Sequence, residues 1–233
     1  MKLQSLISRC ATALLAAGVL AAPAHAAVIN GNFGAGLTGW ATLGDVAAVN
    51  GATLTTASLD VDDAPAGAGA FNVSGTAAAP VGAPGGVESF VGLPLGGLDP
   101  DAANGIWAFE GSALKQTLAV KAGDTLSFDW LFSSHEDPLT GMNDYAFVVV
   151  GQTLITLADV FGGATGSHFS TTFAADGNVD LAFGIVDVND YVGTSSLSLA
   201  NISLDTANRV PEPGSLALGL GGLALLARRK LQK

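Results

Sequence analysis

The stretch DTLSFDWLF, residues 124–132, decides the fold class. Apolar side chains occupy every second position in it, at Leu126, Phe128, Trp130 and Phe132. The polar residues Thr125, Ser127 and Asp129 occupy the alternate positions. Successive side chains of a β-strand point to opposite faces, so a period of two gathers the apolar groups on one face. The pattern predicts a strand with one face in a core and the other in water.

Three further stretches indicate strands of the same core. In NVDLAFGIVD (178–187), apolar side chains again recur at every second position. SALKQTLAV (112–120) alternates as well, with Leu114, Leu118 and Val120 on one face and Lys115 and Thr117 on the other. DYAFVVVG (144–151) is apolar at nearly every position, which predicts a strand that is buried on both faces.

The apolar pattern changes phase in SLSLANISL (196–204). The first two leucines share one face, whereas Ile202 and Leu204 share a face that is one residue out of step. An extra residue at Ala200-Asn201 would restore the pattern, and inserting one residue into one strand is what a β-bulge does. We therefore expect a bulge in the last strand.

Turn residues separate these short strands, and strands do not alternate with helices. This organisation predicts an all-β fold, an antiparallel β-sandwich or jelly roll, over residues 27–205. The segment Asp60–Pro100 is rich in Gly, Ala and Pro, which predicts long surface loops between short strands.

The first 26 residues have the pattern of a secretory signal peptide. Lys2 and Arg9 precede an apolar run, and Ala24 and Ala26 then form the A-x-A pattern of a cleavage site. We expect cleavage after Ala26 by signal peptidase, and export. The only cysteine, Cys10, lies in this segment, so the mature chain would carry no disulfide.

Acidic residues dominate the part of the chain that follows. Between residues 27 and 209 the chain has three basic residues, Lys115, Lys121 and Arg209, against nineteen Asp and Glu. Nucleic-acid binding depends on Lys and Arg at the phosphates, so the charge excludes this class of partner. It fits a solvated exterior or a bound cation such as calcium.

The chain ends in VPEP, an apolar run over residues 214–227, and the bases Arg228, Arg229 and Lys230. The run makes ~21 Å of helix against a bilayer core of ~30 Å, which is short for a span. Thinning of the bilayer and snorkelling of the bases allow a short transmembrane helix with a basic cytoplasmic tail over residues 214–233. The alternative, a buried core helix, is disfavoured by the glycines in the run. Residues 206–213 would form an extended linker.

This ending resembles the PEP-CTERM sorting signal of Gram-negative bacteria. The resemblance implies that an exosortase recognises Pro211, Glu212 and Pro213 and removes the tail. It implies that Arg228, Arg229 and Lys230 help to hold the chain in the inner membrane until then. It further implies a final place at the cell surface or outside the cell, and an association with exopolysaccharide or biofilm.

The body of the chain also resembles known proteins. NGNFGAGLTGW (30–40) is similar to the opening of many exported jelly-roll, carbohydrate-binding-like modules. Residues 109–132, 143–151 and 187–204 resemble a family of exported PEP-CTERM proteins of uncharacterised role. Such modules often have Asp-Asn in the last strand, and this chain departs from them with Ala200-Asn201.

Catalytic motifs are absent from the sequence. It has no G-x-S-x-G and no H-E-x-x-H, and no cysteine follows the signal segment. His135 and His168 stand in short polar stretches that are typical of a surface. We therefore expect that the chain is not an enzyme.

Calcium binding is a more plausible chemistry, because this ion needs several converging oxygen ligands. Three acidic groups are candidates: Asp60, Asp62 and Asp63; Glu136, Asp137 and Asp144; Asp187, Asn189 and Asp190. None completes an EF-hand loop, and solvated turns remain the alternative. If a site exists, we favour the two pairs that bracket strand ends, because these could meet at one edge of a sandwich: Glu136, Asp144, Asp187 and Asp190.

Sugar binding requires exposed aromatic rings. Trp107 and Tyr191 lie at loop edges and are the candidate platforms, whereas Trp40 and Trp130 are expected in the core. The leading hypothesis is an exported surface or matrix protein with a binding or structural role in the exopolysaccharide layer. The alternative is a secreted hydrolase of matrix polysaccharide, which would need an acid and base pair in a groove.

Overall fold

A computed structural model describes residues 27–59 and 71–207. The signal segment, the Pro-Glu-Pro linker, the apolar run with its basic tail, and the acids Asp60, Asp62 and Asp63 lie outside the described residues. Within them, no helix has the length and apolar character needed to cross a membrane.

The described residues form eleven strands, one short helix and two 3-10 turns. The strands are β1 (Ala41–Leu43), β2 (Asp45–Ala48), β3 (Ala52–Thr55), β4 (Ala79–Pro80), β5 (Ala108–Val120), β6 (Thr125–Ser134), β7 (Tyr145–Val150), β8 (Thr153–Asp159), β9 (Thr165–Thr172), β10 (Gly177–Val188) and β11 (Ser195–Asp205). The helix α1 is Val87–Val91, and the 3-10 turns are Ala102–Asn104 and Val160–Gly162.

The strands make two antiparallel sheets. The first has the order β1-β5-β10-β7-β8, with β4 added beside β5, and the second has the order β2-β3-β11-β6-β9. The arrangement confirms the predicted all-β sandwich. Neighbours in each sheet are mostly distant in sequence, so the fold depends on long-range pairing rather than on hairpins alone.

The main core lies between the sheets and contains the apolar faces read from the sequence. Phe128 of β6 and Phe183 of β10 meet edge to face, with ring centroids 4.8 Å apart and an interplanar angle of 87°. This geometry is favourable for aromatic pairs and adds to the burial of both rings. Trp40 is buried beside Phe183, and Trp130 packs at the margin of the core, as expected.

The bulge in β11 is confirmed. The pairing of β11 with β6 shifts between Ala200 and Ser203, and Asn201 has a φ of 54°. The extra residue keeps the Ile202 side chain facing the core. The Ile202 N–H then donates to the Gly31 carbonyl at 3.0 Å. Gly31 is required there, because a methyl group on it would overlap the Ile202 carbonyl.

The described part of the segment up to Pro100 consists mostly of turns and bends around the short strand β4, as expected, but its apolar side chains do not lie on the surface. Residues 71–107 cover the outer face of the first sheet with α1 and buried apolar side chains, among them Val81, Val87 and Leu98. They pack with Phe147 and its neighbours as a second core. The cover explains why β7 is buried on both faces, as the run DYAFVVVG predicts.

Candidate functional site

The candidate metal ligands and the candidate sugar-binding aromatic residues lie at one end of the sandwich. β6 ends there at Ser134, β7 begins at Tyr145, and β10 ends at Val188. The loops that leave β6 and β10 run side by side, because the His135 N–H donates to the Thr194 carbonyl at 3.0 Å. Acidic groups and exposed aromatic rings therefore share this end.

Three of the four acids of the predicted metal site lie together. Glu136, Asp144 and Asp187 each present a carboxylate oxygen, and these three oxygens lie within 4.8 Å of one another. Asp144 and Asp187 are buried, and Glu136 is half-buried. The fourth acid, Asp190, is hydrogen-bonded to the Asp187 side chain and adds its charge to the group. These four residues are called the acidic cluster below.

Asp144 is held in place by bonds to the strands around it. Its Oδ1 accepts the buried Val188 N–H at 3.0 Å, and its Oδ2 accepts the Ser195 hydroxyl at 2.6 Å. Ser195 Oγ in turn lies 2.8 Å from Ser134 Oγ. Asp144 therefore ties the start of β7 to the ends of β6 and β10 and to the start of β11.

Asp187 is a buried acid whose pKa departs far from its ordinary value. It is 2 % exposed, and its Oδ1 has no hydrogen-bond partner within the described part of the chain. Burial, followed by the charges of Asp144 and Asp190, raises the pKa of Asp187 to about 10. Carboxylates at this spacing repel one another, and this repulsion favours the protonated form of Asp187.

Glu136 is positioned by the loop between β10 and β11. Gly193 packs directly against its carboxylate, so that a methyl group on Gly193 would overlap the carboxylate atoms. Gly193 also has a φ of 85°, in the left-handed region that favours glycine. The sequence DVNDYVGTSS contains this glycine, but the contact with Glu136 has no local sequence signal, because the two residues are far apart in the chain.

The two candidate aromatic platforms are exposed and lie on segments that bond to each other. Trp107 is 47 % and Tyr191 is 54 % exposed. The Trp107 N–H donates to Asn189 Oδ1 at 2.8 Å, and the Asn189 N–H donates to the Trp107 carbonyl at 3.0 Å. Tyr191 packs on Phe109, with ring centroids 5.1 Å apart. Both rings therefore belong to one rigid corner beside the acidic cluster.

Asp137, His135 and His168, which the sequence analysis also considered, make contacts outside the acidic cluster. Asp137 is exposed and caps its own turn, with Oδ1 accepting the Leu139 N–H at 2.9 Å. His135 packs on the ring of Phe71, with centroids 4.4 Å apart. His168 lies on β9 and contacts Asp129 of β6, with its Nδ1 2.7 Å from the carboxylate. These contacts fit structural roles.

A groove of about 350 Å³ lies between the cover and the β7–β8 pair. Asp99, Tyr145 and Asp159 are among its lining residues. Asp99 accepts the Ala108 N–H at 3.0 Å, and Asp159 accepts the Gly162 N–H at 2.8 Å. No local sequence pattern indicates this groove, because its walls come from segments far apart in the chain.

No family model matches the chain, and no curated protein matches it. Among solved structures, a CBM4 structure matches with a TM-score of 0.38 and 10 % identity, covering 77 % of this chain and 99 % of that one. The N-terminal cellulose-binding domain of Cellulomonas fimi β-1,4-glucanase C matches with a TM-score of 0.33 and 13 % identity, covering 74 % and 91 %. The enzymatically active domain of bacteriophage CBA120 tailspike protein 4 matches with a TM-score of 0.33 and 11 % identity, covering 77 % and 21 %. TM-scores below 0.5 carry no inference about function.

Proposed function

We propose that this chain is an exported protein of the extracellular polysaccharide layer and that it binds polysaccharide through Trp107 and Tyr191. The observation that carries the proposal is the exposure of these two rings on segments joined by reciprocal hydrogen bonds between Trp107 and Asn189. Sugar rings present apolar C–H faces, and exposed aromatic rings are the side chains that stack on them.

Rigidity of the aromatic corner supports the proposal. Ordering a side chain on binding costs free energy, and this cost is smaller for a ring that other residues already hold in place. Asn189 fixes the backbone of Trp107, and the ring of Phe109 supports that of Tyr191.

Sorting is the second part of the proposal, and the sequence of the two ends supports it. Signal peptidase would release the mature chain at Ala26, and the apolar run would anchor it in the inner membrane. An exosortase would then cut near the Pro-Glu-Pro triplet and send the acidic body to the cell surface or the medium. The net charge of the body argues against a nucleic-acid partner.

We propose further that the chain does not hydrolyse its ligand. Glycosidases need one protonated and one ionised carboxyl group, ~5–10 Å apart across the scissile bond. Asp99 and Asp159 of the groove are the pair that a hydrolase could use, but each accepts a backbone amide that holds a turn. These bonds favour a structural role for both carboxylates.

Binding is tested with the full chain, purified in mild detergent, and polysaccharide from the producing cells. Loss of one stacked ring costs about 1–2 kcal/mol, so Trp107→Ala and Tyr191→Ala should each weaken binding roughly five- to thirtyfold. Leu131→Ala is the matched control, because Leu131 is 54 % exposed and belongs to β6 of the second sheet.

Three outcomes of this binding test distinguish the proposals. Weaker binding of both ring variants with unchanged binding of Leu131→Ala supports the site. Unchanged binding of the ring variants, or a loss with Leu131→Ala alone, places the glycan elsewhere and overturns it. New reducing ends that form with the parent protein and disappear with Asp99→Asn would establish the hydrolase instead.

A further inference from the structure

We propose that Glu136, Asp144 and Asp187 hold a calcium ion that cross-links the two sheets at this end of the sandwich. This site goes beyond polysaccharide binding and is independent of it. Its test uses calcium alone, so that the two proposals succeed or fail separately.

The spacing of the three carboxylate oxygens fits one shared ion. Calcium binds oxygen at 2.3–2.6 Å, so two ligands of the same ion lie at most about 5 Å apart. The three oxygens lie within 4.8 Å of one another, which satisfies this limit for every pair. All are carboxylate oxygens, which hard cations such as calcium prefer, whereas zinc sites use mainly nitrogen and sulfur ligands.

Asp187 supplies a second and independent observation. Its side chain is 2 % exposed, and its Oδ1 has no hydrogen-bond partner within the described part of the chain. Buried polar atoms in folded proteins are nearly always satisfied, so such an oxygen requires an explanation. An ion bound between the three carboxylates would satisfy this oxygen directly.

The position of the three acids gives the ion a structural role. Glu136 follows β6 of the second sheet, Asp144 precedes β7, and Asp187 lies in β10 of the first sheet. An ion between them therefore joins the two sheets at this end of the sandwich. Exported proteins often use disulfides for this purpose, but the only cysteine of this chain is Cys10.

The remaining ligands fit the same ion. Calcium takes 6–8 oxygens, and carboxylates can bind with one or both oxygens. Asp190 lies beside Asp187 and offers a fourth carboxylate. Water would complete the shell on the open side, where Glu136 is half-buried rather than buried.

The test uses the full chain in mild detergent, stripped of divalent ions with a chelator. Calcium chloride is then titrated in by calorimetry, and melting curves are recorded with calcium and with chelator. At about a hundredfold excess over Kd, binding to the folded state should raise the melting temperature by about 5–10 °C. Magnesium chloride should give a smaller shift, because its shorter bonds demand a tighter octahedron.

Three variants test whether the ion binds at these carboxylates. Asp187→Asn keeps the shape but removes a ligand charge, and should weaken calcium binding by more than about tenfold. Asp137→Asn is the matched control, with the same change of charge next to Glu136 in an exposed turn, and should bind as the parent does. Gly193→Ala keeps every carboxylate but displaces that of Glu136, and should also lose the calcium response.

Two results would overturn the site. One is a parent protein that shows neither heat of binding nor a change of melting temperature with calcium. The other is calcium binding of equal strength in Asp187→Asn and the parent. If Asp187→Asn or Gly193→Ala does not fold, as judged by circular dichroism, the titration of the parent still decides whether calcium binds, and Asp144→Asn replaces the failed variant.

Discussion

Replacing Asp144 separates its role as a hydrogen-bond acceptor from its role as a charge. The carboxylate is fully buried and accepts the Val188 N–H and the Ser195 hydroxyl. In Asp144→Ala the Val188 N–H would lose its acceptor, at a cost of about 1–3 kcal/mol. The lost Ser195 bond and the small cavity would each add about 1 kcal/mol. Relief of repulsion with Asp187 offsets part of this in ion-free protein, which leaves a loss of about 3 kcal/mol.

The asparagine variant should behave differently at the same position. In Asp144→Asn the amide oxygen can accept the Val188 N–H, and the amide nitrogen can donate to Ser195 Oγ. The Ser195 hydroxyl can then turn to Ser134 Oγ, which lies 2.8 Å away. All buried groups stay satisfied, so the ion-free protein should change in stability by less than about 1 kcal/mol.

The assay is unfolding of the full chain by heat and by urea, with a chelator present throughout. A loss of about 3 kcal/mol lowers the melting temperature of a domain of this size by about 6–12 °C, so Asp144→Ala should melt well below Asp144→Asn. The urea slope should stay the same, because both variants expose the same surface on unfolding. Equal melting temperatures for the two variants would refute the account of Asp144 as a satisfied double acceptor.

Two further predictions concern other parts of the chain. Hydrogen bonds from Asn201 and His168 lower the pKa of Asp129, so its carboxyl group should titrate below the usual range of an aspartate in an NMR titration, and Asn201→Ala should move this pKa back up. Because the folded pKa is the lower one, this pair stabilises the fold above the unfolded pKa and loses its effect as the pH falls through the folded value. For sorting, a chain with residues 211–213 replaced by Ala-Ala-Ala should stay full-length in the inner membrane of a host that has an exosortase. Processing and release equal to the parent's would contradict the sorting proposal.

Local patterns in the sequence predicted the features that depend on local spacing. The phase change before Ile202 located the bulge, because strand geometry fixes which side chains share a face. The run after Asp144 showed a strand buried on both faces. Acids next to strand ends met as expected, because strands of a sandwich end at common edges.

Features that depend on distant contacts could not be predicted in this way. Val87 and Leu98 stand among Gly and Pro residues without a period, so their burial in a second core had no signal. The pairing of Trp107 with Asn189 joins residues 82 positions apart, and Gly193 packs on Glu136 across a comparable distance. Such contacts follow from the completed sheets and not from any one segment.

The position of β11 has a consequence for the order in which the second sheet can assemble. This last strand lies in the middle of its sheet, between β3 and β6, and its pairing with β3 brings together residues 145 positions apart, such as Thr53 and Ser198. A chain that crosses a membrane with its N-terminus first therefore delivers β3 and β6 long before the strand that must separate them. Until β11 emerges, the pairs β2–β3 and β6–β9 can form, but the second sheet cannot be completed. A chain truncated before β11 would leave two unpaired strand edges, which attract other chains and proteases.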